Sequence, residues 1–343
     1  MINACLIGCG RMGRSHAEHI HRSPYSNLYG VVDARPDNAR QLAEQYNAVH
    51  FQTIEEALSD SNVDAVVIVT TTDTHKDLIM QASRAGKPIF CEKPIDLDLD
   101  KIDQCLEVVE ENRTPLFVAF NRRFDPSFRQ LHNQLRSGIV GPVEFLNISS
   151  RDAPVPDIAY LRTSGGMFKD MTIHDFDMAR WMLGEEPTEV YAVGSCLVDP
   201  RIAEFGDIDT AGITLKTASG AICQINNSRR AAYGYDQRIE AFGPSGMLRA
   251  NNIAPTSVEF SFNDGVRTEA YLPSFPERYV DAYRLELEHF FKDVMIDGKP
   301  PEISGVDGRQ AVVIAEAANE SLKTGQPVKI PSPRTAVKAT ATY

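Results

Sequence analysis

Residues 4–33 read ACLIGCGRMGRSHAEHIHRSPYSNLYGVVD, and this stretch decides the fold of the N-terminal part of the chain. The apolar run Ala4–Ile7 leads into Gly8-Cys9-Gly10-Arg11-Met12-Gly13. A helical pattern comes next, then a second apolar run, Leu28–Val32, ending in Asp33. This is G-x-G-x-x-G in the setting that gives it meaning: a strand before, a helix after, and an acidic residue about 20 positions beyond. Gly8 permits the tight turn out of the strand, and Gly10 lets the backbone approach a pyrophosphate. Gly13 lets the helix lie close to the sheet. The N–H groups at the helix start, Arg11 and Met12 among them, face the phosphates. The other reading is a structural glycine-rich turn. Both strands and the acid in register favour dinucleotide binding.

Asp33 refines that expectation. A carboxylate at the end of the second strand accepts hydrogen bonds from both ribose hydroxyls of NAD and repels a 2′-phosphate. Arg35, two residues on, offers that phosphate a partner. NAD is therefore expected as cofactor, with NADP second.

Working outward, strand and helix alternate through about residue 120. Apolar strand runs stand at Ala4–Ile7, Leu28–Val32, Ala65–Val69, Pro88–Cys91 and Leu116–Phe120. Helical stretches lie between them near 12–22, 37–46, 74–84 and 98–111. Continuous apolar strands separated by helices are what a parallel sheet covered on both faces requires. The sequence thus predicts an α/β N-terminal domain over 1–120, a Rossmann-type doubly wound parallel sheet. After residue 140 the pattern becomes alternating, as in Val143–Ser149, Val190–Val198, Ala211–Lys216 and Ala221–Asn227. Ala218-Ser219-Gly220 and Gly243-Pro244-Ser245-Gly246 are turn formers between strands. This predicts an α+β C-terminal domain over 121–330, built on a large, open, mostly antiparallel sheet with one packed face. Helices are expected near 277–297 and 306–323. The stretch 331–343 reads as a flexible tail.

The 343 residues, 43% hydrophobic and 24% charged, have the make-up of a soluble globular protein. A net charge of −12 argues against a nucleic-acid or anionic-membrane partner. No apolar run nears the roughly 20 residues of a membrane span, and a chain that opens directly in a strand leaves no room for a secretory leader. The six cysteines are scattered without a C-x-x-C pair. That suggests free thiols in a reducing cytoplasm and no cysteine zinc site.

Three further segments carry chemistry: Phe90-Cys91-Glu92-Lys93-Pro94, Asn121-Arg122-Arg123-Phe124-Asp125-Pro126, and Gly165-Gly166-Met167-Phe168-Lys169-Asp170-Met171-Thr172-Ile173-His174-Asp175. With the opening fingerprint they resemble the Gfo/Idh/MocA family of NAD(P)-dependent oxidoreductases over nearly the whole chain. Within it, N-R-R-F-D-P and the stretch Ser228–Arg238 look most like inositol 2-dehydrogenases. The resemblance implies oxidation of a ring hydroxyl of a cyclic polyol, myo-inositol to its 2-ketone, in a homotetramer with the second domains' sheets face to face. It implies Lys93 and Asp170 as substrate and proton-relay residues and His174 as the acid/base.

The residues support that chemistry. Moving a hydride from a secondary alcohol leaves a proton to remove, so the site needs a base, a group to orient it, and a cation for developing alkoxide. An imidazole suits the first task, and Asp170, four residues before His174, shares its face if the segment is helical. Lys93 sits just past the carboxyl end of a parallel strand, where open α/β sheets bind ligands. Against this, a lysine after a strand is often merely solvated, and His174 could be a satisfied histidine on a half-buried helix. A metal cluster of Asp170, His174, Asp175 and Asp177 is disfavoured because 174 and 175 diverge around a helix, so no metal is expected.

Other residues line the site by the same reasoning. The family resemblance implies that Thr70, Thr71, Thr72 and Glu92 lie beside the cofactor. Thr74 either joins them or only caps the next helix. His75 either contacts the nicotinamide side or caps that helix. One of Arg122 and Arg123 donates to substrate, the other forming an ion pair. Asp152 either accepts from a polyol or serves a turn. Of Tyr233 and Tyr235, Tyr233 is favoured for the pocket. His16, His19 and His21 read as surface or packing residues. Two competing functions keep the same fold: dehydrogenation of another inositol isomer or an aldose, and a non-enzymatic NAD-binding regulator. Transient use of NAD in glycoside hydrolysis is a third.

Overall fold

The computed structural model describes residues 1–333; the expected tail from 334 onward lies outside the described residues. The chain forms two compact units, 1–121 with 281–312, and 122–280 with 313–333. Segment 281–312, which the sequence pattern assigns to the second domain, therefore belongs to the first unit.

In the first unit, strands β1 (Ile2–Ile7), β2 (Ser26–Val32), β3 (Val49–His50), β4 (Ala65–Ile68), β5 (Ile89–Glu92) and β6 (Leu116–Ala119) form one parallel sheet, ordered β3-β2-β1-β4-β5-β6. Helices α1 (Arg11–Arg22), α2 (Pro36–Tyr46), α3 (Ile54–Ser59), α4 (Thr72–Arg84) and α5 (Leu99–Glu111) connect them. β3 and α3 escaped the sequence reading because each is too short to show a period. The strand order reverses between β1 and β4, the switch point where such sheets bind ligands. α1 buries Gly13, His16, Ala17 and Ile20, a spacing that puts all four on one face. α5 starts where Asp98 accepts hydrogen bonds from the Asp100 and Lys101 N–H groups.

In the second unit, the short 3₁₀ turn Asn121–Phe124 leads into α6 (Pro126–Arg136), then β7 (Phe145–Arg151), α7 (Ile158–Leu161), α8 (Gly166–Asp170) and α9 (Ile173–Leu183). β8 (Pro187–Ser195), α10 (Pro200–Ala203), β9 (Thr210–Thr217), β10 (Ile222–Ser228), β11 (Asp236–Gly243) and β12 (Gly246–Ala250) come after these, with the hairpin β13 (Glu259–Phe262) and β14 (Gly265–Thr268). The chain continues as α11 (Phe275–Arg278) and α12 (Val280–Glu288), extended as a π-helix over His289–Ile296, and ends with α13 (Gly305–Thr324) and β15 (Val328–Lys329). From Asp281 onward, α12 and the first turns of α13 lie in the first unit. There Phe290 meets Phe90 edge-on, and Phe90 stacks on Phe117.

The second sheet runs β12-β11-β7-β10-β9-β8-β15, with only β7 and β10 parallel. Alternation is strict in β7: Leu146, Ile148 and Ser150 are buried while their neighbours are partly exposed. The buried face is covered by α9, whose buried residues run almost all round the helix.

Candidate active site

In the first unit the glycine fingerprint is built as its residue types demand. Gly8 has φ +101°, a left-handed conformation that favours glycine, and a Cβ there would strike the Val69 carbonyl. A Cβ on Gly13 would strike the Gly8 carbonyl, so only glycine lets α1 begin against the loop. A Cβ on Gly10 would meet nothing within 4 Å, and no side chain caps α1. That open backbone at a helix start fits a dinucleotide's phosphates. Asp33, half-buried at the end of β2, accepts from the Cys9 N–H at 2.6 Å and the Arg35 N–H at 2.7 Å. Its carboxylate is thereby fixed beside the loop, with lone pairs left for ribose hydroxyls.

Thr71, not Thr74, precedes the first residue of α4. The Thr74 hydroxyl instead bonds Thr70 Oγ1 at 2.7 Å and the Thr71 carbonyl at 2.8 Å, bracing the loop after β4. His75 is buried, with Nδ1 2.8 Å from the Pro94 carbonyl and Nε2 3.1 Å from the Thr70 carbonyl. Its ring ties the Thr70–Thr72 loop to the Lys93-Pro94 segment, so neither nitrogen is turned toward a ligand. Lys93 is half-buried just past β5, before a cis Pro94. Glu92 accepts from His16 Nε2 at 2.7 Å. His16, read from sequence as surface or packing, is in fact a buried polar partner.

The second unit holds the other chemistry. Asp170 ends α8 and His174 is the second residue of α9, with Met171 and Thr172 between them in right-handed conformation. Asp170 accepts from Tyr160 Oη at 2.6 Å and from Arg229 at 3.0 Å. Arg229 also faces Asp152 at 3.7 Å. Burial pushes the Asp152 carboxyl up to about 6, with Arg229 opposing the rise and Asp170 adding to it. Burial and the adjoining Asp170 push the Tyr160 phenol up as well, keeping it a neutral donor.

Both candidate arginines are engaged in ion pairs. Arg122 bonds Asp175 at 2.5 Å and Ser150 at 3.0 Å, and Asp175 also accepts from Asn227. Arg123 chelates Asp177 and lies 6.0 Å from the Trp181 ring. Asp175 and Asp177 are thus matched to buried guanidinium groups, which is why two acids tolerate a largely buried helix. The two tyrosines differ in burial. Tyr233 bonds Arg151 and Asp236, both on the partly exposed face of the sheet. Tyr235 is buried, its ring edge-on to Tyr279, with charge influence from Arg122, Asp152 and Asp175.

Sequence reasoning missed Arg229 and Tyr160. Arg229 lies within the Ser228–Arg238 stretch quoted for the family likeness, but only the folded chain shows it buried between two acids.

The strand order and the glycine loop, with Asp33 at the end of β2, define the dinucleotide-binding fold of an oxidoreductase. Residues 2–120 match the oxidoreductase family with an NAD-binding Rossmann fold. Residues 128–249 match the GFO/IDH/MocA C-terminal domain. The chain belongs to the GFO/IDH/MocA oxidoreductase family. It is 44% identical over 326 residues to the myo-inositol 2-dehydrogenase of Thermotoga maritima, covering 95% of this chain and 97% of that one. It is also 44% identical over 327 residues to the inositol 2-dehydrogenase of Rhizobium meliloti, covering 95% of this chain and 98% of that one. Its fold matches scyllo-inositol dehydrogenase from Lactobacillus casei, solved with NAD(H) and scyllo-inositol. That match has a TM-score of 0.90 at 27% identity and covers 97% of this chain and 100% of that one.

Proposed function

We propose that this oxidoreductase oxidises a ring hydroxyl of an inositol, with myo-inositol to its 2-ketone as the reaction and NAD as cofactor. The relatives named above act on inositols, and one observation in this chain carries the reading. Asp170, four residues before His174, is held by a fully buried arginine and a neutral phenol, an arrangement suited to orienting a base.

Bound NAD supplies a hydride acceptor at its nicotinamide. His174 takes the hydroxyl proton, and Asp170 orients the imidazole or relays that proton onward. The Lys93 ammonium stabilises alkoxide character on the reacting oxygen. Asp152 and Tyr235 accept and donate to the remaining hydroxyls. Gly8, Gly10, Arg11, Met12 and Gly13 hold the pyrophosphate, Asp33 the ribose, and Thr70–Thr72 with Glu92 line the nicotinamide end. Asp33 favours NAD over NADP by excluding a 2′-phosphate.

Assembly as a homotetramer is supported by the partly exposed face of the second sheet, which presents Tyr191, Val193, Phe242 and Met247. Six free cysteines suit a cytoplasmic enzyme. A second substrate reading, scyllo-inositol, is favoured by the ligand of the Lactobacillus casei structure. The test is initial NADH formation with myo-inositol, scyllo-inositol, glucose, xylose and galactose. The highest kcat/KM is expected for myo-inositol. NADH formation from none of them overturns the reading.

A further inference from the structure

Three side chains of the first unit gather where the proposed reaction uses none of them directly. His16 on α1 and Glu286 on α12 are both 0% exposed. Among the described residues, neither carboxyl oxygen of Glu286 has a hydrogen-bond partner. One ligand atom each of His16, Glu92 and Glu286 lies within 4.8 Å of the other two. The rings of Phe90 and Tyr283 close edge-on against His16, at 5.5 and 5.7 Å between centroids. The cluster is walled by aromatic surface, and Glu286 is aimed into it.

Two carboxylates this close, one of them fully buried, do not both carry charge. The surroundings decide which one does. Glu92 accepts from His16, and Lys93 and His75 also favour its anion, which together outweigh its burial. Glu286 meets only burial and the Glu92 charge, and both push it well above the ordinary carboxyl range. The other cations nearby are otherwise placed. Arg284, on the same helix, pairs with Glu288 and Asp281, and burial depresses the basicity of His19 on α1. A neutral Glu286 has an O–H to donate, and the Glu92 carboxylate is the acceptor it faces.

We propose that Glu286 is a neutral carboxylic acid that donates its proton to the Glu92 carboxylate, directly or through one water. The resulting His16–Glu92–Glu286 chain is a positioning device for Lys93. It joins the helix that opens at the glycine loop, the end of β5, and α12. The positioning half rests on the role proposed for Lys93; the protonation half does not.

The experiment compares the parent with Glu286→Gln and Glu286→Leu. Infrared spectra of the substrate-free protein at neutral pH are expected to show a protonated carboxyl band that Glu286→Gln removes. Glu286→Gln is expected to melt higher than the parent, with the gap opening as pH rises from 5 to 8. Across that range an unfolded glutamic acid has released its proton while the folded one keeps it. Absence of the band overturns the proposal, as does a Gln variant that melts lower or a divalent metal found at stoichiometric level in the purified protein. Glu286→Leu keeps the bulk but not the donor, so kcat/KM is expected to fall on the order of 10–100-fold, with Glu286→Gln restoring most of it. A folded Leu variant with parental kcat/KM overturns the positioning half. If Glu286→Leu does not fold, the Gln variant and the infrared band decide alone. Those arms need no substrate, so they stand apart from any failure of the inositol reading.

Discussion

Arg229 is 1% exposed, yet its guanidinium holds the Asp170 carboxylate at 3.0 Å. One buried cation thus serves an acid of the proposed proton relay, and it also faces Asp152. Breaking a buried pair by removing one partner typically costs ~3–5 kcal/mol, because the remaining charge is left uncompensated. Arg229→Met is expected to lower unfolding stability by about that amount and to cut kcat/KM. Arg229→Lys should recover part of both. Urea unfolding midpoints of the three proteins check this; an unchanged midpoint in Arg229→Met contradicts it.

Asp152 gives the molecule a pH dependence with a defined sign. Its carboxyl is raised from 3.8 to about 6 by burial. Between those values the unfolded chain has released its proton while the folded one keeps it. Stability is therefore fully present below pH 4 and lost as pH rises through about 6. Asp152→Asn lacks this loss, so its stability relative to the parent should increase across that window by up to ~3 kcal/mol. If the ionised carboxylate binds substrate, the same variant should have lower kcat/KM at pH 7. Melting temperatures from pH 4 to 8 measure the first effect, and a gap that does not change with pH refutes it.

The first sheet was legible because each of its longer strands is a continuous apolar run and its loop needs glycines at fixed spacing. What the sequence made legible of the candidate site is position along the backbone: Gly8 and Gly13 in the turn, Asp33 at the end of β2, Lys93 just past β5. The site was not legible where the partner lies far along the chain. Arg122 and Arg123 read as one substrate donor and one ion-pair former, and only the fold shows both paired, with Asp175 and Asp177, 53 and 54 residues away. Tyr233 and Tyr235 look alike in sequence, and it is the irregular turn between β10 and β11 that leaves the first exposed and the second buried. The placement of 281–312 in the first unit is set by aromatic packing of Phe290, which no local pattern reveals.

Cofactor choice should turn on the charge of Asp33. The unmutated enzyme is expected to prefer NAD to NADP in kcat/KM. Asp33→Asn keeps an acceptor for the Cys9 N–H but removes the repulsion of a 2′-phosphate, and exposed Arg35 is then available to that phosphate. The variant should therefore narrow the preference, mainly through a lower KM for NADP. Equal efficiency with both cofactors in the parent would count against the ribose role.

The division of labour among His174, Lys93 and Asp170 gives the sharpest test of mechanism. A positioned base contributes ~10²–10⁴ in rate, so His174→Ala is expected to lower kcat by about that factor. NAD binding should survive, because the glycine loop and Asp33 are in the other unit. Fluorescence titration of the cofactor separates these two effects. Lys93→Ala should be at least as damaging and should also raise KM for the polyol, since it removes both a hydrogen bond and a charge. Asp170→Asn should lower kcat less than His174→Ala does, because Tyr160 and Arg229 still hold the side chain at position 170. The ordering is what matters. If His174→Ala keeps near-parental kcat while Asp170→Asn loses it, the proton leaves through the carboxylate, and His174 is a packing residue on α9.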